Sequence, residues 1–114
     1  MPEQYPPTSK VRSWQEQTAL VLAALLRHDL PSATWTITDV LFATHTGEMD
    51  GQVSGTDEEC RAKLDAWSAQ LGAPVVWSPL HPNSTTLSGR VNVEINGVRV
   101  EVWTHVTAPE GGAV

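Results

Sequence analysis

The alternation of apolar and polar residues is clearest between Leu87 and Val106. Two runs carry it, separated by Asn96-Gly97, a dipeptide that accommodates the positive φ values of a two-residue type I′ turn. Folding the chain back at that point sets Ile95 opposite Val98, Val93 opposite Val100, Val91 opposite Val102 and Leu87 opposite Val106. The alternate positions pair Glu94 with Arg99, Asn92 with Glu101, Arg90 with Trp103 and Ser88 with His105. One face of the hairpin is thus apolar and the other polar. A one-residue slip would exchange them, so the register is strongly specified.

Helical spacing occurs twice. Ser13-Trp14-Gln15-Glu16 has the spacing of a capping box, in which a serine hydroxyl and a glutamate each satisfy a free backbone N–H. It predicts a helix starting at Ser13, with Trp14, Thr18, Val21, Leu22 and Leu25 on its apolar side. Pro31 biases Leu30 away from helical geometry and ends the helix near His28. Thr56-Asp57-Glu58-Glu59 repeats the box, and its acids suit the positive end of a helix dipole. There Cys60, Leu64, Trp67 and Leu71 form the apolar stripe, and Asp57–Arg61, Glu59–Lys63 and Arg61–Asp65 stand at ion-pair spacing. Gly72 and Pro74 close this second helix.

Between and after the helices the pattern is extended. Thr34–Thr38 alternates threonine with Trp35 and Ile37 and reads as a strand. The turn formers Gly47, Asp50 and Gly51 suggest a long connection followed by a short strand over 52–54, and Val75–Trp77 is a further strand before a loop containing Pro79, Pro82 and Asn83. Residues 1–12, with three prolines, are expected to form a loose arm, and 107–114, with Pro109, Gly111 and Gly112, a fraying tail. The remaining segment, 13–106, is then a single domain in the order α-β-β-α-β-β-β. An antiparallel sheet of about five strands, covered on one face by two amphipathic helices, would bury every apolar stripe in a two-layer α+β fold.

Composition narrows the function classes. An apolar share of 40% and a charged share of 18% fit a packed domain and not a disordered chain. The net charge of −6, with only seven lysines and arginines, argues against a sequence-independent grip on nucleic acid and suits solubility or a basic partner. Cys60 is the only cysteine, which leaves no intramolecular disulfide, and the chain opens without a leader-like basic and apolar run. The apolar stretch from Ala19 to Leu26 is too short to span a bilayer. The expected compartment is the cytoplasm, with no membrane attachment.

Catalytic and metal signatures are missing from the sequence. His28, His45, His81, His105 and Cys60 stand at no zinc-like spacing, and Cys60 falls on a helical stripe that calls for a small buried residue. No nucleophile elbow or phosphate-cradling glycine run is present, and the glycines between Gly47 and Gly55 lie among acids that would repel phosphate. Neither a metal nor a cofactor is expected. A small enzyme remains an alternative if His105 or His45 meets Asp39 for acid–base work. Nucleic-acid binding is another, and it requires a basic strip joining Arg90 and Arg99 to Arg12 or Arg27.

The polar face of the hairpin is the favoured contact surface. Trp103 stands there opposite Arg90, with Asn92, Arg99, Glu101 and His105 around it, a grouping suited to anchoring a protein partner. The competing explanation is that Arg90 covers the indole by a cation–π contact. An unpaired outer edge at residues 98–102 would offer a second route, pairing with its own copy. At Gly51-Gln-Val-Ser-Gly-Thr-Asp, and again at Asn96-Gly-Val-Arg-Val-Glu-Val-Trp-Thr-His-Val, the chain resembles small proteins of unassigned activity from actinobacteria, their phages and mobile elements. The low lysine and isoleucine usage also fits a GC-rich source. The resemblance spans most of residues 14–106 and carries no catalytic residue. It implies an intracellular accessory protein that acts by contact with another macromolecule.

Overall fold

The computed structural model describes residues 8–38 and 47–108. Seven elements follow one another: α1 (Thr8–Leu25), β1 (Thr34–Thr38), β2 (Gly47–Gln52), α2 (Asp57–Leu71), β3 (Val76–Pro79), β4 (Thr86–Ile95) and β5 (Val98–Thr107). The class is α+β in the expected order. The strands form one sheet, β1-β2-β5-β4-β3, whose neighbours are antiparallel except for the parallel pair β2–β5. The sheet is therefore mixed where an all-antiparallel one was expected. The physical reason is that α2 carries the chain from β2 across to the far edge, from which β3, β4 and β5 return as a meander.

The β4–β5 hairpin has the register read from the sequence, from Leu87 opposite Val106 to Ile95 opposite Val98. Asn96 and Gly97 both have positive φ, 52° and 83°, as a type I′ turn requires. Its apolar face is buried: Val91, Val98, Val100 and Val102 are fully inaccessible. They join Met49, Val53, Val21, Leu25, Leu64 and Trp67 in a single core, which places both helices on the same side of the sheet.

The second helix is capped as its sequence dictates. The Glu59 amide donates to the Thr56 hydroxyl at 3.1 Å, and the Thr56 amide donates to Glu59 Oε1 at 2.8 Å. Gly72 closes the helix with φ 71°. Cys60, Leu64 and Trp67 are buried as the stripe predicts. Lys63 acts electrostatically on Glu59 as its i,i+4 spacing predicts, and charged side chains of the helix also reach beyond it. Lys63 donates to the Ser54 carbonyl, Asp57 accepts from the Thr107 amide, and the Arg61 guanidinium lies 4.9 Å from the centre of the Trp77 ring.

Three boundaries differ from expectation. Helix α1 begins at Thr8, so Ser13 is an interior residue and residues 8–12 belong to the helix and not to an arm. A proline is tolerated immediately before a helix, because the first turn's N–H groups lack intrahelical acceptors anyway. The inner stripe is as read, with Thr18, Val21 and Leu25 buried and Trp14 and Leu22 half-buried. After Leu25 the chain tightens through Arg27 and His28, whose amides donate to Ala24 and Leu25.

Strand β2 covers Gly47–Gln52 in place of 52–54, so Gly47, Asp50 and Gly51 are ladder residues and not turn residues. The glycines face the helices: a Cβ on Gly47 would collide with the Thr18 hydroxyl, and one on Gly51 would stand 2.8 Å from the Trp35 ring. Strand β3 is Val76–Pro79, one residue later than expected and ended by its proline.

Candidate functional site

Strand register alone arranges the helix-free face into rows. From β1 toward β4, the first row is Thr38, Glu48, Arg99 and Glu94, and the second is Thr36, Asp50, Glu101 and Asn92. The third is Thr34, Gln52, Trp103 and Arg90, extended by Val76 on β3. His105, Ser88 and Ser78 make the fourth. Every residue assigned to the contact surface from the sequence lies on this face: Arg90, Asn92, Arg99, Glu101, Trp103 and His105. None of the described elements packs over it, and Arg90, Asn92, Arg99 and His105 are exposed.

Trp103 is half-buried and held on both sides. Its Nε1–H donates to Asp50 Oδ2 at 2.8 Å, and its ring centre lies 5.0 Å from that of His105 at an interplanar angle of 53°. Fixing the indole in one orientation lowers the conformational entropy lost when a partner covers it. The cation–π explanation does not describe this geometry, because Arg90 turns elsewhere. Its Nη1 is 3.5 Å from Glu101 Oε2, and its Nε donates to Ser88 Oγ at 3.2 Å. Val76, three strands away from β2 along the Trp103 row, is 60% exposed and adds apolar area at the β3 edge.

Beside the indole, the first two rows and Arg90 of the third frame a shallow polar depression of about 220 Å³, lined also by Glu48, Asp50, Asn92, Arg99 and Glu101. With Glu94, the face carries four carboxylates against two guanidiniums. Asp50 and Glu48 were missed in the sequence because residues 44–51 read as a turn. The signal was nevertheless there, since Gly47-Glu-Met-Asp-Gly-Gln-Val alternates small or apolar residues with polar ones.

No protein-family model matches the chain, and no curated protein or solved structure matches it either. The site is thus read from its own geometry.

The other sequence candidates are dispersed. His28 follows α1, His81 lies in the β3–β4 loop with Nδ1 3.5 Å from the Pro82 carbonyl, and His105 is on the open face. Cys60 is buried in α2, with Sγ 3.7 Å from the Gly55 carbonyl and 4.0 Å from that of Val53. Among the described residues, no three His, Cys, Asp or Glu side chains are grouped to hold a metal ion. Asp39, the expected acid–base partner of His105 or His45, and His45 itself lie outside the described residues.

The basic strip is not formed. Arg12 and Arg27 belong to α1 and the turn after it, across the sheet from Arg90 and Arg99, and acids separate the two arginines of the open face. Pairing of residues 98–102 with a copy is also blocked, because β5 is the central strand, bonded to β2 and β4. Among the described residues, no helix is long and apolar enough to cross a membrane.

Proposed function

We propose that this protein is a non-enzymatic interaction module whose open sheet face binds a protein partner. The observation that supports this reading is Trp103: a tryptophan on the solvent side of a rigid central strand, oriented by Asp50 and ringed by Arg90, Arg99, Glu101, His105 and Asn92. Large aromatic side chains of this kind anchor protein interfaces, whereas their polar surroundings set register and specificity. The excess of carboxylates around the depression favours a partner segment that presents lysine or arginine. The resemblance of residues 51–57 and 96–106 to small actinobacterial, phage and mobile-element proteins supports an accessory role within the cytoplasm.

A random peptide display library selected on the immobilised protein tests the reading. The expected binders are rich in Lys and Arg and lose on the order of thirtyfold in affinity on Trp103→Ala. The thermal midpoint of that variant should change little. Binders indifferent to Trp103→Ala and to Glu101→Ala would rule the face out. A collapse in stability would show instead that the indole belongs to the folded core.

A further inference from the structure

The last two turns of α1 have no polar side. Residues 19–26 read Ala-Leu-Val-Leu-Ala-Ala-Leu-Leu, and the core takes only part of that circumference. Val21 and Leu25 are buried and Leu22 packs against them, whereas Ala19, Leu20, Ala23, Ala24 and Leu26 are exposed. Leu20 is 60% accessible and Leu26 61%. A helix that is apolar all round ordinarily lies inside a protein, so this one is left with a face to cover.

The charges at the ends of that face specify what covers it. Glu16, Leu20 and Ala23 follow at intervals of four and three along α1, the spacing of a coiled-coil seam, and Arg27 stands in the turn two residues past the helix end. The three helical positions form a stripe opposite Trp14, Thr18, Val21 and Leu25, which face the core. Lay a second α1 antiparallel on this stripe, with the two-fold axis between residues 21 and 22. Glu16 of each copy then meets Arg27 of the other, and Leu20 meets Ala23. Acid opposes base and large opposes small, each twice. A parallel pair would instead set Glu16 against Glu16 and Arg27 against Arg27.

Beside the stripe an apolar groove of about 480 Å³ runs between α1, Leu71 of α2 and Ile95 at the hairpin end, with Leu20 and Ala24 on its rim. It gives side chains of the second copy a place to insert. We propose that the protein is a homodimer formed by antiparallel packing of α1 against α1 of a second copy. The pairing is independent of the function assigned to the open sheet face. It leaves that face free in both copies, because the helices lie on the other side of the sheet, and so yields a bivalent binder.

Analytical ultracentrifugation of the full chain over a wide concentration range tests the pairing. The expected result is a concentration-dependent dimer that Leu20→Glu weakens on the order of a hundredfold by placing charge at the apolar centre. Because Leu20 is exposed and glutamate is a good helix former, circular dichroism should show an intact fold. Glu16→Arg and Arg27→Glu should each weaken the dimer, and the two together should restore it. A monomer at every concentration overturns the proposal. So does a dimer that Leu20→Glu leaves intact, or one that the double charge exchange fails to restore.

Discussion

Gly51 and Gly89 each sit directly across from a tryptophan, Trp35 and Trp77, on the helix-facing side of the sheet. Each indole lies flat over its glycine, filling space that a Cβ would occupy. Trp35 also meets Trp67 edge-on at 5.5 Å, and the Trp67 Nε1–H donates to the Pro31 carbonyl at 3.0 Å. The inner tryptophans are therefore packing residues, in contrast to Trp103. Gly89→Ala should destabilise the protein by about 1–3 kcal/mol through overpacking, measured by chemical denaturation. A neutral result would show that Trp77 moves freely off the strand. Gly51 and Gly47 were misread from sequence because their reason is non-local. Both resemble turn formers in a one-dimensional reading, and only the approach of Trp35 and Thr18 explains them.

At the scale of elements, the most legible parts were those whose signal is local. The hairpin turn, its register and both ends of α2 follow from neighbouring residues, and the structure has them where the sequence put them. The start of α1 was missed because a plausible capping box at Ser13 competed with continuation of the helix back to Thr8. The α2 cap also predicts a pH dependence. The backbone N–H of Thr56, aided by its hydroxyl, holds the Glu59 carboxyl below its ordinary range. A carboxylate with a depressed folded pKa contributes stability above its unfolded value and loses it as pH falls through the folded value. Thermal midpoints followed into acid should thus fall less steeply for Glu59→Gln than for the native chain. Equal slopes would mean the cap does not depend on the charge. Thr56→Ala should cost about 1 kcal/mol at neutral pH, read from denaturant melts.

For the whole molecule, the sheet separates two surfaces. Helices and valines close one side, and charged rows around Trp103 occupy the other. The six residues chosen from the sequence share that open side because strand alternation alone decides it. The alternation over 47–53 marks a strand with Glu48 and Asp50 on its polar side, but it does not say that this strand lies beside Trp103, because the β2–β5 pairing joins segments some fifty residues apart. Adjacent positions on β5 should therefore respond oppositely to substitution. Val102→Asp places an unpaired charge in the core and should cost about 3–5 kcal/mol or prevent folding. Trp103→Ala should leave the fold intact. Equal losses in the two variants would deny the division into a closed and an open side.

The indole N–H resonances provide the most direct measurement. In a nuclear magnetic resonance titration with a Lys- and Arg-rich peptide selected on the protein, the Trp103 Nε1–H signal should shift, because its bond to Asp50 lies in the contact. Those of Trp35, Trp67 and Trp77, on the other side of the sheet, should stay in place. A peptide that binds while moving the inner indoles and leaving the Trp103 signal unchanged would contradict the assignment of the open face as the binding surface.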